Sequence, residues 1–213
     1  MTQIFFPAQK KYLDSFRRNE SKLRREMETF AVENKVPILD WHAADLIEKL
    51  IKINNPDRVL EIGTAIGYTT IRIAECLGKG ATIHTIEKSQ DNIKIAKDYF
   101  NKSGLEKKIK LIEGNALSIM PQLNKKYDFI FLDADKEDYK RLFDYSMILL
   151  RKGGVIVIDN LLWHGYTASA KVPPKYTKST KHIRDFNKLF ILQKNLDSMI
   201  IPIGDGIGLG VKK

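Results

Sequence analysis

Three side chains with oxygen donors stand where apolar runs end. Phe129-Ile130-Phe131-Leu132 leads into Asp133, and Val155-Ile156-Val157-Ile158 leads into Asp159 and Asn160. Two carboxylates and an amide are hard oxygen ligands, the kind that a divalent cation such as Mg2+ takes. A cation held there lowers the pKa of a substrate hydroxyl and orients it. Lys136, three residues beyond Asp133, offers a nitrogen for the released proton, although a lysine with its ordinary pKa of ~10.4 must be depressed to act near neutrality. Asp133 and Lys136 are thus the candidate catalytic pair, with a surface ion-pairing lysine as the plainer reading of Lys136.

A third apolar stretch, Arg58-Val59-Leu60, runs into the loop Glu61-Ile62-Gly63-Thr64-Ala65-Ile66-Gly67-Tyr68. Ala65 stands where the dinucleotide fingerprint has its middle glycine, which disfavours a nicotinamide oxidoreductase. Three polar residues at successive strand ends describe another cofactor. Glu61 lies in the turn, where a carboxylate would meet an ammonium group. Glu87 follows about 26 residues on, where an acidic side chain accepts from ribose hydroxyls. Asn115, between Gly114 and Ala116, is placed to border an adenine ring. Together they fit S-adenosylmethionine. Trp163, Tyr68 and Tyr139 are aromatic candidates for stacking or capping. His164 is expected to be no ligand, since Mg2+ prefers oxygen; His42, His84 and His182 show no pattern.

Positioning these groups requires a parallel sheet. Runs of four β-formers bounded by polar residues read as strands buried on both faces. Strands are expected near 58–62, 81–86, 109–113, 127–133 and 153–158, with helices near 68–77, 89–103, 116–123, 137–150 and 179–195. One or two amphipathic helices occupy 8–35, and another follows Val36-Pro37-Ile38-Leu39. Five βα units predict an α/β, Rossmann-like, doubly wound and mostly parallel sheet. The tail, with Gly204-Asp205-Gly206 between two short apolar runs, predicts a hairpin and an antiparallel C-terminal strand, seven strands in all. The chain is expected to be a single domain over 1–213, with N-terminal helices over 1–55 and the Rossmann-like core over 56–213.

With 213 residues and 43% hydrophobic content, the chain can bury a full core. The polar, basic start from Met1 to Lys11 and the strand-sized apolar runs argue for no membrane span. Cys76 is the single cysteine, which fits a cytoplasmic protein and a thiol in the core. The net charge is +10, unevenly spread. From His164 to Lys194 there are seven cationic side chains against Asp185 alone, and the first 36 residues hold eight cations against five carboxylates. Segments 10–25 and 171–188 therefore suit a polyanion such as nucleic acid, with a well-solvated basic surface as the bland account. Arg17, Arg18, Arg24 and Arg25 are candidate phosphate grips; Gly165 to Lys181 is a candidate lid or substrate clamp.

On Glu61-Ile62-Gly63-Thr64-Ala65-Ile66-Gly67-Tyr68-Thr69, Leu132-Asp133-Ala134-Asp135-Lys136, Asp159-Asn160 and Ile203-Gly204-Asp205-Gly206, the chain resembles the class I metal-dependent O-methyltransferases of the catechol and caffeoyl-coenzyme A type, from Val36 to Lys213. Within them it is most similar to the bacterial members that methylate 5-hydroxyuridine in tRNA. The resemblance implies Asp133, Asp159 and Asn160 as metal ligands, for Mg2+ or another divalent cation. It implies cofactor contacts from Leu39, Glu61, Gly63, Thr69, Glu87, Asn115, Ala116 and Asp133, with Thr64 and Tyr68 in the same loop. It also implies Lys136 as general base, and a homodimer.

Three activities follow. The first is methylation of wobble 5-hydroxyuridine in tRNA to 5-methoxyuridine. The second is methylation of a small catechol-like phenol. Both substrates pair a hydroxyl with a neighbouring oxygen, so the metal set serves either. The third, a non-enzymatic nucleic-acid-binding domain, would have little use for that set.

Overall fold

The structure is a computed structural model describing residues 6–18 and 20–213. The first five positions of the polar start, and Asn19 within the basic segment 10–25, lie outside it. Seven strands form one sheet: β1 (Arg58–Ile62), β2 (Thr82–Glu87), β3 (Ile109–Glu113), β4 (Tyr127–Leu132), β5 (Leu150–Ile158), β6 (Leu196–Ile201) and β7 (Ile207–Lys212). Their order is β3-β2-β1-β4-β5-β7-β6. The first five are parallel, and β7 pairs antiparallel with both β5 and β6. The expected doubly wound sheet with a C-terminal hairpin is what the chain forms.

Helices cover both faces, so strand residues of either parity are buried. On one face Val59, Ile83, Phe129 and Val157 pack with Ala43, Ile47 and Ile51 of α3 (Trp41–Asn54), Ile71 and Ala74 of α4 (Tyr68–Cys76), and Ala96 and Phe100 of α5 (Gln90–Ser103). On the other, Leu60, Ile62, Ile130 and Ile156 meet Leu142 and Phe143 of α7 (Tyr139–Leu149), and Ile183, Phe186 and Phe190 of α8 (Thr177–Ile191). Cys76 is half-buried and packs on the first of these cores. Among the described residues, no helix is long and apolar enough to cross a membrane.

The region expected to hold one or two helices holds two, and some element boundaries elsewhere shift. The N-terminal region is two helices, α1 (Pro7–Asp14) and α2 (Lys22–Glu33), because Ser21 caps the second by accepting from Arg24 N. The helix expected over 116–123 is one α-turn, α6 (Ala116–Ile119), followed by a 3-10 turn at Met120–Gln122; Pro121 cannot donate to a continuing α-helix. Strand β5 begins at Leu150 rather than 153, with Gly153 at φ +75°.

A buried charge network binds the N-terminal helices to the core. Arg72 on α4, 2% exposed, reaches Glu48 of α3 at 2.7 Å and Glu20 at 3.4 Å. Arg24 of α2 contacts Glu20 at 2.9 Å and Glu48 at 3.0 Å, and Arg17 pairs with Glu28. Arg17 and Arg24, candidate phosphate grips by sequence, thus have their charges committed to carboxylates inside the fold.

Candidate active site

The order of the sheet reverses between β1 and β4, and open α/β sheets bind ligands outside the carboxyl ends of strands at such a point. The two strand ends touch here. Asp133 N–H donates to Ile62 O at 2.9 Å. Gly63 has φ +101°, and a Cβ at that position would lie 1.8 Å from Asp133 O. Only glycine lets the loop after β1 pass this close to the end of β4. Asp159 N–H in turn donates to Leu132 O at 3.1 Å, so β5 ends alongside β4.

Asp133, Asp159 and Asn160 consequently line one cleft, with Lys136 among them. Lys136 Nζ donates to Asn160 Oδ1 at 2.6 Å, to Asp133 Oδ1 at 3.1 Å and to Tyr139 Oη at 2.6 Å. The Tyr139 hydroxyl donates in turn to Asp159 O at 3.0 Å. Burial first, and the Asp133 charge second, hold the Asp159 carboxyl well above the ordinary carboxylate range, while Lys136 pulls it back. Among the described residues, no three His, Cys, Asp or Glu side chains cluster to hold a metal; the set here is two carboxylates and an amide. Its fit to a hard cation is tested by the ammonium of Lys136, a positive charge drawn in by oxygens of Asp133 and Asn160. Those oxygens, with Asp159, suit a divalent ion.

The whole cleft, about 840 Å³, also runs past the ends of β1, β2 and β3. Glu87 braces it: Oε2 accepts from Ala65 N at 2.9 Å, and Oε1 from Lys88 N and Ser89 N at 2.9 Å each. Ala65 holds φ +46°, a left-handed backbone costing an alanine ~1 kcal/mol, so the loop bends as a glycine would. Asn115 caps α6 by accepting from Leu117 N at 2.8 Å. Gly63, Glu87, Asn115, Ala116 and Asp133 all line the cleft.

The sequence profile of the O-methyltransferase family matches residues 14–213. The chain belongs to this family. A caffeoyl-CoA O-methyltransferase of Populus kitakamiensis is 32% identical over 171 residues, covering 76% of this chain and 73% of that one. One from Eucalyptus globulus is 35% identical over 178 residues, 76% of this chain and 70% of its own length. A Staphylococcus aureus structure, described provisionally as a caffeoyl-CoA O-methyltransferase, superposes with TM-score 0.89 at 33% identity over 97% of this chain and 100% of that one. A Bacillus cereus O-methyltransferase in complex with SAH gives 0.84 at 26% identity, covering 97% of each chain. Membership of an O-methyltransferase family removes the reading of a non-enzymatic nucleic-acid-binding domain.

Other residues expected to meet the methyl-donor cofactor lie away from the lining. Glu61 is fully buried beneath the loop, where Oε2 accepts from Thr85 Oγ1 at 2.6 Å and from Thr70 Oγ1. Burial, with smaller contributions from the Asp133 and Glu87 charges, pushes its carboxyl up to about 8, against the lowering effect of the two threonines. Thr64 joins the same network through Thr85 at 2.6 Å. Tyr68 donates to Glu28 at 2.6 Å and accepts from Arg72 at 2.7 Å. Leu39 packs in the core, and Thr69 follows Tyr68 on α4. Glu61 and Thr64, through Thr70 and Thr85, tie the loop from behind.

Beside Asp133, Asp159 and Asn160 lies a lip from Trp163 to Tyr176. Trp163 and His164 hold φ of +46° and +54°, and both line the cleft. Their rings, with Tyr166 and Tyr176, form one cluster with centroids 4.9 to 6.1 Å apart. Lys136 Nζ lies 5.6 Å from the Trp163 ring centroid. Two residues that sequence reasoning did not assign hold this region. Arg184 donates to three lip carbonyls, those of Tyr166, Thr167 and Ser169, at 2.9, 3.0 and 2.5 Å. Asp205 accepts from Asn160 and from His164. The basic segment 171–188 therefore divides: Arg184 is a clamp, Lys178 pairs with Glu137 at 2.7 Å, and Lys171, Lys175 and Lys181 are exposed.

Proposed function

We propose that this chain is an S-adenosylmethionine- and divalent-cation-dependent O-methyltransferase whose substrate is 5-hydroxyuridine in tRNA. The carrying observation is the adjacency of a hard-oxygen set (Asp133, Asp159, Asn160) to an aromatic lip whose segment and following helix expose Lys171, Lys175 and Lys181. Aromatic faces stack on bases and lysines attract phosphates, a combination suited to single-stranded nucleic acid. The Bacillus cereus relative bound to SAH supports the methyl donor.

The reaction is an in-line displacement. The substrate oxygen forms a bond to the methyl carbon as the carbon–sulfur bond breaks, and the electron pair goes to sulfur, leaving S-adenosylhomocysteine. A divalent cation, when bound, stabilises the deprotonated oxygen and fixes its direction. The chain's own residues do the remainder. Asp133, Asp159 and Asn160 would hold the cation; Glu87 keeps the cofactor loop in shape through Ala65. Lys136, in its neutral form, would take the hydroxyl proton on Nζ. The lip, held by Arg184, would orient the ring and exclude water, so that nucleophile and methyl meet in a reactive geometry.

A second reading, a small catechol-like phenol, is favoured by the relatives at 32 and 35% identity named as caffeoyl-CoA O-methyltransferases. The two are separated by methyl transfer from labelled S-adenosylmethionine, with Mg2+ and with chelator, to 5-hydroxyuridine-bearing tRNA and to catechol. Cation-dependent labelling of the tRNA with poor labelling of catechol supports the first reading. Efficient catechol labelling with inert tRNA replaces it with the second.

A further inference from the structure

The antiparallel hairpin reaches the site through the turn between β6 and β7. It sits against the loop after β5. Leu161 N–H donates to Gly206 O and Leu162 N–H to Asp205 O, both at 2.9 Å. Gly206 has φ +89°, and a Cβ there would come within 2.6 Å of Leu162 N and 2.5 Å of its Cγ. Glycine is required for this approach. The Asp205 side chain then spans two groups. Oδ2 accepts from Asn160 Nδ2 at 3.2 Å, and Oδ1 accepts from His164 N–H at 2.5 Å.

The first of these contacts decides which end of an amide faces the cleft. Asn160 carries an acceptor and a donor of nearly equal size. With Nδ2 on Asp205, Oδ1 is turned to Lys136 Nζ at 2.6 Å. The reversed amide would set oxygen against the Asp205 carboxylate and NH2 against an ammonium, two mismatches at once. An acceptor-only carboxylate at 205 therefore selects one orientation.

We propose that Asp205 is a positioning residue that fixes the Asn160 amide with its oxygen toward the cation place, and thereby sets divalent-cation affinity. The inference rests on the reading of Asp133, Asp159 and Asn160 as cation ligands. Partners that orient ligands from behind typically change metal affinity by about 10–100-fold when removed.

The test measures Mn2+ bound by metal-free protein, read from the electron paramagnetic resonance of the free ion. Three chains are compared: wild type, Asp205→Asn, and the exchange Asn160→Asp with Asp205→Asn. Denaturant unfolding establishes that each is folded. In the single variant, the introduced amide keeps its oxygen on His164 N–H and turns its NH2 to Asn160, which then offers NH2 to the cation. Affinity is expected to fall about 10–100-fold. The exchange restores a donor facing an acceptor, keeps the charge of the pair, and leaves a carboxylate oxygen toward the cation; most of the affinity is expected to return. Equal binding by wild type and Asp205→Asn would overturn the proposal, as would an exchange variant no better than the single one. Wild type that takes up no Mn2+ would instead overturn the cation reading, and this inference with it.

Discussion

Lys136 donates to Asn160 Oδ1 at 2.6 Å, which sets an ammonium among the very oxygens proposed to hold a divalent cation. Lysine and cation thus compete for one patch of negative potential. Replacing Lys136 with Met is expected to lower kcat by roughly 10²- to 10⁴-fold, the usual scale for removal of a general base. Mn2+ affinity is expected to hold or improve. Steady-state kinetics and metal titration on the same preparation check this; a parallel fall in Mn2+ binding would sink the assignment.

Gly63→Ala is expected to damage fold and site together. The new Cβ would meet Asp133 O, 1.8 Å away, on a backbone at φ +101°. Strain and overpacking of this kind cost on the order of 2–5 kcal/mol in combination. Urea unfolding should show the loss, and cofactor and metal affinity should fall with it. Unchanged stability would mean that the loop after β1 has room that its contact with β4 denies.

Glu61 gives a pH dependence with a definite sign. Its carboxyl is pushed up from 4.5 to about 8, chiefly by burial. The folded chain then holds a proton that the unfolded chain releases, so the stability contributed by Glu61 is full below about 4.5 and is lost as pH rises toward about 8. Glu61→Gln, which cannot ionise, is expected to show a flatter decline across that window in cofactor-free protein. Unfolding midpoints at several pH values measure it. Equal slopes in the two proteins would remove Glu61 as the cause.

Lys171, Lys175 and Lys181 are exposed on the lip segment and its helix, whereas Lys178 is paired with Glu137. Changing the first three to Gln is expected to weaken tRNA binding and reduce the slope of log K against log salt by about 0.7–0.9 for each phosphate no longer neutralised. Lys178→Gln is expected to change it less. Filter binding over a range of salt reads both. A slope untouched by the triple change would leave the lip without an RNA role.

The sheet was legible in sequence because its central strands are buried on both faces, so Phe129 to Leu132 and Val155 to Ile158 read as unbroken apolar runs. The strand ends then marked Asp133, Asp159, Asn160 and Glu87. Other details depended on information that such runs lack. Glu61 was expected to face the cofactor, yet alternate residues of a strand point to opposite sides. It shares the side of Val59, under α4, where Thr70 waits. Asp205 and Arg184 act on partners 45 and 15–18 residues away in the chain, and their roles follow from packing of the hairpin and α8, not from any local pattern. Arg17 and Arg24 read in sequence as free for phosphate, but the fold brings Glu20, Glu28 and Glu48 onto them from separate points of the chain.

Strand β7 is threaded between β5 and β6, and this fixes a timetable for synthesis. Asn160 leaves the ribosome 45 residues ahead of Asp205, an interval of ~2–9 s at ordinary elongation rates of roughly 5–20 residues per second. Through that interval β5 has a bare flank of backbone amides and carbonyls, the surface most prone to pairing with another chain. Codons slowing translation across 160–205 would lengthen this exposure, and ribosome stalling there would favour aggregates over enzyme.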